Sequence, residues 1–344
     1  MNDAVISCID SFEVKRLKRK QLLVGCGSFL GMLLLILDAK TALQGARSGI
    51  DLCLQTVIPS LFPFFVLSAF LTDSVSDSSG AMLGSVERLF GVPKGAGSLL
   101  LTGFLAGYPV GAQCVADAWR RGQLSKTEAE RMLAFCSNPG PAFLFGMVGS
   151  LFPSMGYVWL IWGLLILGAW LAALTLPPGA AVASPSRSAL RSGDMPSLLK
   201  NAINAMVNVC CWVILFRILI HILKKWVLWF FPPEGQVLLS GILELTNGCM
   251  ELFALEDLGL RFFLVCGFLS FGGLCVAMQV LSAAGGLSMK LCVFGKAIQT
   301  FFCLCVCAAL VWRMWYPLAG FLLVTGFLCR KKRKRSGNHR AVVV

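Results

Sequence analysis

Apolar residues run through this chain in long blocks with short polar interruptions. Ten blocks stand out, at 22–37, 52–71, 97–116, 132–152, 156–176, 202–223, 236–255, 260–283, 289–312 and 315–329. Crossing the hydrocarbon core takes roughly 20 helical residues, and most of the blocks approach that length, the first and last being shorter. The pattern predicts an all-α, polytopic helical membrane protein. Asp38 and Lys40 follow the first block where a small-residue cleavage site would stand, which favours an uncleaved anchor over a signal peptide.

Several blocks are interrupted. Pro59 and Pro63 are expected to break the second, Gly107-Tyr108-Pro109 the third, and Asn138-Pro139-Gly140-Pro141 the fourth. Asn247-Gly248 and Gly272-Gly273 are expected to break the seventh and eighth. Lipid cannot hydrogen-bond a freed backbone amide or carbonyl, so irregular backbone at membrane depth survives only when buried in protein or lining a wet cavity. Several breaks in one chain therefore suggest broken or re-entrant helices around a transport site.

Two polar stretches divide the blocks. In the first, Ser125 and Glu128 have the spacing of a capping box that opens a surface helix. The second, 177–200, is rich in Pro, Ser, Ala and Gly and reads as a linker. The expected organisation is a basic segment 1–21, a first membrane half with its anchor helix at 22–176, the linker 177–200, a second half at 201–329 and a basic tail 330–344. GFLAGYPVGA (103–112) and GFLSFGGLCV (267–276) are each followed at similar distance by GQLS (122–125) and GGLS (285–288), which suggests two structural repeats.

Composition sharpens this picture. Hydrophobic residues make up 57% and charged ones 14% of the 344 residues, against about 25% charged in ordinary globular chains. The net charge of +13 sits mainly at the ends. Residues 1–21 hold five basic and three acidic side chains, and 330–344 hold seven basic and no acidic ones. Basic flanks beside apolar segments orient a protein and bind anionic headgroups. They predict cytoplasmic termini, an even number of crossings and membrane-lipid contacts rather than nucleic-acid binding. The 15 cysteines are scattered through apolar blocks without a CxxC pair, and only two histidines occur, so no metal site or cofactor is expected. No G-x-S-x-G, P-loop or H-E-x-x-H motif is present, which argues against an enzyme.

Polar residues inside apolar blocks cost on the order of 3 kcal/mol each when ionisable, and so become the site candidates. Glu244, Thr246 and Asn247 offer a carboxylate, a hydroxyl and an amide suited to a polar solute or to a coupling proton or sodium ion. Glu251, nearer the block's end, reads as the partner of a neighbouring cation. Arg217 shares a helix face with His221 and suits either pairing with Glu244 or clamping a carboxylate substrate. Gln279, Lys296 and Gln299 are further polar groups in apolar surroundings. Ser137 and Asn138 precede Pro139, where Asn138 is placed to cap the half-helix that follows.

IPSLFPFFVLSAFL (58–71), the GYPVGA…FCSNPGP stretch within 103–149, GILELTNG and GFLSFGGLCVAMQV together resemble the sporulation integral membrane proteins of the YlbJ type. Those proteins carry the nucleoside-recognition or gate domain, and the resemblance extends over about 45–325. It implies a membrane protein of spore-forming bacteria that moves dipicolinate from the mother cell into the forespore. The gate domain is also similar to part of concentrative nucleoside transporters, which makes nucleosides the alternative solute. A non-transporting scaffold or sensor of sporulation, docked through the basic tail, is the reading from a different class. A homo-oligomer or a sporulation partner is compatible with either.

Overall fold

A computed structural model of the chain describes residues 21–75, 83–177 and 195–341. The basic segment 1–20 and most of the expected linker lie outside the described residues, as do the side chains of the basic tail. Among the described residues there is no strand. The elements are α1 (Gln21–Leu37), α2 (Ala39–Leu52), α3 (Ile58–Val75), α4 (Gly84–Phe90), α5 (Gly97–Leu105), α6 (Val110–Arg120), α7 (Lys126–Cys136) and α8 (Pro141–Gly146). They continue as α9 (Met155–Thr175), α10 (Met195–Trp226), α11 (Pro233–Leu243), α12 (Leu245–Glu251), α13 (Leu258–Phe271), α14 (Gly273–Ala284), α15 (Lys290–Trp312) and α16 (Tyr316–Ala341).

Five stretches of the described chain are long and apolar enough to cross a membrane: Ala39–Leu67, Met155–Thr175, Met195–Trp226, Leu258–Ala284 and Lys290–Trp312. Leucines and tryptophans on their outer faces, such as Leu160, Leu167 and Leu215 with Trp159, are exposed, as a lipid-facing surface requires. The protein is an all-α, integral, multi-pass membrane protein.

The ten expected blocks are not ten crossings. The third, fourth and seventh are pairs of short helices joined at a break, none of which could cross alone at 1.5 Å rise per residue. The second is also corrected. Pro59 and Pro63 do not break their helix, because a π-helical turn at Cys53–Val57 widens the backbone before them and α3 runs on through Pro63. The Ser60 hydroxyl donates to the Thr56 carbonyl at 2.6 Å beside this turn.

Small residues set the closest packing. A Cβ on Gly45 or Gly49 of α2 would sit 2.8 Å from Ile218 Cα or 2.9 Å from Ile214 Cα of α10, so these helices pack nearly backbone to backbone. At their shared end, the Asp38 carboxylate accepts from Lys225 at 2.7 Å and from the Trp226 indole at 2.8 Å. Those two partners hold the Asp38 carboxyl well below the usual carboxylate range. α15 is central, packed among α7, α9 and α13.

Buried charges act as staples. Arg131 donates to the carbonyls of Phe90, Gly91 and Ala173, closing the C-terminal ends of α4 and α9 at once. Glu87 accepts from the Gly95 and Gly97 amides at the start of α5. The expected capping box forms at α7, with Ser125 and Glu128 each accepting from the other's backbone amide. The elements of the two suggested repeats pack on one another, α6 on α14 and α7 on α15. Their turns meet too: Arg120 donates to the Ala283 carbonyl, and the Ser288 amide donates to Glu130 at 2.9 Å.

Candidate functional site

Four helix breaks lie in the interior. The first, between α5 and α6, is built on Gly107 in the left-handed region at φ +80 and a cis Tyr108-Pro109 bond. The second, between α7 and α8, spans 137–140. They touch: a Cβ on Gly107 would lie 2.6 Å from the Gly140 amide nitrogen, so no larger residue fits between them. The third break falls at Glu244, and the fourth at Gly272 and Gly273, with φ +87 and +78. These also touch, since a Cβ on Gly273 would lie 3.3 Å from both the Gly241 carbonyl and the Leu245 amide.

Three of the four breaks line one cavity of about 30 Å³, and α14, which follows the fourth, lines it too. Tyr108, Pro139 and Gly140 reach it from the first half, and Glu244, Thr246 and Gln279 from the second. Val57 and Leu61 from the α2–α3 stretch and Val209 and Val213 from α10 supply an apolar wall. That volume suits water rather than an organic solute.

The third break corrects the sequence reading. Helix geometry fails at Glu244 rather than at Asn247-Gly248, because the Glu244 carboxylate turns back to accept from the Thr246 and Asn247 amides at 2.9 and 2.6 Å. Glu244 thus ends α11 and caps α12. Gly248 instead serves packing, since a Cβ there would run into the Gly241 backbone. Glu244 is 2% exposed and, among the described residues, makes no ion pair. Its expected partner Arg217 donates to the Ser48 hydroxyl at 3.1 Å on the α2 face and does not line the cavity. Short α2–α10 packing draws Arg217 to Ser48. Glu251 does have a cation partner, Lys224 at 2.5 Å, and also accepts from the Asn247 side-chain amide.

A second polar cluster lies behind the α7–α8 break. Asn138 does not cap α8; Gly140 occupies the cap position and Pro141 starts the helix two residues beyond reach of the Asn138 side chain. Asn138 instead donates to the Phe135 carbonyl at 2.7 Å and accepts from Gln299 at 2.7 Å and Lys296 at 3.3 Å. Lys296 also donates to Gln299 at 2.9 Å, and Gln299 to the Leu165 carbonyl. Lys296 is 8% exposed and has no carboxylate partner among the described residues. Ser137 is buried with its hydroxyl unpartnered.

Of the residues singled out from sequence, the structure brings Glu244, Thr246 and Gln279 to the cavity together with break residues Tyr108, Pro139 and Gly140. Asn138 and Lys296 form the neighbouring cluster, and Arg217 lies apart. The Tyr108 hydroxyl was missed as a polar group. It is buried and unpartnered, on a residue that lines the cavity. The signal was available, because a phenol inside an apolar block needs a partner. Gln299, noted only as polar, is the hub of the second cluster.

Comparison with known proteins fits this architecture. The chain is 33% identical over 111 residues to the sporulation integral membrane protein YlbJ of Bacillus subtilis (strain 168). It resembles a sporulation membrane protein. The aligned part is 32% of this chain and 27% of YlbJ, so the likeness to YlbJ spans about a quarter of that relative's length. No family model matches the chain, and no solved structure matches it.

Proposed function

We propose that this protein is a transporter or facilitator that carries a small polar or anionic solute across a membrane during sporulation, without catalysing a reaction. Dipicolinate entering the forespore is the solute we favour, and a nucleoside is the alternative. The observation that supports this reading is the meeting of three helix breaks and α14 over one cavity, with polar side chains from both halves of the chain. Irregular backbone at membrane depth is tolerated where protein buries it or a cavity is lined, and transport sites are built from such breaks. The similarity to YlbJ supports the sporulation setting. On this reading the protein sits in the cell membrane or the outer forespore membrane. The basic flanks place both termini on the cytoplasmic side.

On this reading so small a cavity implies motion. A solute enters only when the wall formed by Val57, Leu61, Val209 and Val213 separates from the breaks, and α2–α3 with α10 is the unit that would move. Lys296 and Asn138 stand close behind Pro139 and supply the positive pole an anion would meet once the α7–α8 break opens.

The test is uptake of labelled dipicolinate into proteoliposomes, with a labelled nucleoside in parallel. Saturable uptake of dipicolinate, reduced when the near-isosteric Thr246→Val removes a polar group from the cavity wall, is the expected result. Uptake of neither solute by correctly inserted protein would turn the reading toward a membrane scaffold or sensor.

A further inference from the structure

Glu244 is a carboxylate enclosed by protein, beside a cavity, in a chain whose apolar exterior faces lipid. The Thr246 side chain hydrogen-bonds it, and few other groups surround it. Tyr108 approaches from the α5–α6 break, Cys53 from the turn before α3, Cys275 from α14 and Cys249 from α12 itself. Arg217 on α10 is the positive group that senses it, but lies beyond ion-pair reach and is held by Ser48. Glu251, on the same short helix, is already neutralised by Lys224. No second carboxylate lines the cavity.

Two features point to a ligand as small as a proton. Each Glu244 oxygen already faces a backbone N–H, and those hydrogens oppose the multi-oxygen shell that a hard metal cation demands. A proton needs one remaining lone pair. Tyr108 lines the same cavity, and its hydroxyl is buried with no hydrogen-bond partner, although a buried phenol normally finds one.

We propose that Glu244 is a proton-binding site of this cavity, with the Tyr108 hydroxyl as the group that accepts from the protonated carboxyl. The step is an acid–base exchange: a proton from water on one side joins the carboxylate, and the carboxylic acid later returns it to water, with no change of oxidation state. The neutral acid removes the one uncompensated negative charge that would repel an incoming anion. The proton's role in moving a solute rests on the transport reading above; its binding does not.

The test uses the full-length protein in liposomes and needs no transported solute. Dicyclohexylcarbodiimide modifies protonated carboxyl groups in apolar surroundings, and mass spectrometry locates the adduct. Infrared difference spectra between high and low pH report carboxyl protonation independently of reagent access. The expected result is modification of Glu244 that rises as pH falls, is unchanged by sodium, and is accompanied by a carboxyl band missing from Glu244→Gln. Tyr108→Phe should shift the half-modification point to lower pH, because the protonated form loses its acceptor. Protection by sodium would overturn the proposal in favour of a metal-cation site. Absence of both the adduct and the band at every pH would overturn it outright. Retained proton binding with no solute uptake would instead count against the transport reading alone.

Discussion

Removing the Asn138 side chain offers a quantitative probe of the cluster behind the α7–α8 break. Asn138 is 2% exposed and joins three partners: the Phe135 carbonyl at 2.7 Å, Gln299 at 2.7 Å and the Lys296 ammonium at 3.3 Å. Two of these bonds are neutral and worth about 1 kcal/mol each, and the one to the ammonium about 1.5–3 kcal/mol. Asn138→Ala should therefore cost about 3–5 kcal/mol of stability. Much of that cost is a buried charge left with Gln299 as its remaining acceptor. Lys296→Met removes the charge, so in that background Asn138→Ala should cost only about 2 kcal/mol. The double-mutant cycle should then show a coupling of about 1.5–3 kcal/mol. Asn138→Asp replaces the amide oxygen by a carboxylate facing Lys296 and should lie within about 1 kcal/mol of the wild type, since an ion pair offsets the lost donor to Phe135. Reversible denaturant unfolding in mixed micelles measures the wild type and all four variants. Equal costs of Asn138→Ala with and without Lys296 would refute the view that Asn138 compensates a buried cation.

Two further predictions concern the frame of the site. Gly248→Ala should destabilise by about 1–3 kcal/mol because its methyl group meets the Gly241 backbone and lies 3.1 Å from the Phe268 ring. Gly163→Ala, where a Cβ meets nothing within 4 Å, should be neutral or slightly stabilising in the same unfolding assay, and equal losses at both positions would contradict the packing argument. For Asp38, a folded-state pKa below the unfolded value means the carboxylate's stabilisation is complete above about pH 4 and is lost as pH falls toward the folded pKa. The melting temperature of Asp38→Asn should thus lie below the wild type by a constant margin from pH 7 to pH 5, and the margin should close on further acidification. A margin that widened in acid would refute the role of Lys225 and Trp226.

Much of the architecture was legible in the sequence because lipid tolerates few solutions. Long apolar blocks with basic flanks could only be membrane helices, and Gly107-Tyr108-Pro109, Pro139-Gly140 and Gly272-Gly273 could only interrupt them where protein covers the backbone. The capping box at Ser125 was equally readable, since both partners lie within one turn. Local chemistry of this kind needs no knowledge of the rest of the fold.

What tertiary structure decided was every choice between partners distant in sequence. The third break sits at Glu244 because that carboxylate found two amides nearby, while Gly248 was needed for contact with Gly241. Arg217 and Glu244 looked like a pair in one dimension, but backbone-close packing of α2 on α10 turned Arg217 toward Ser48. Asn138 looked like a cap, yet Lys296 and Gln299, some 160 positions onward, claimed its oxygen. Spacing along the chain specifies which groups share a turn or a face, since helix geometry is periodic. Which face meets which depends on how the small residues let helices approach, and that is settled only when the helices pack.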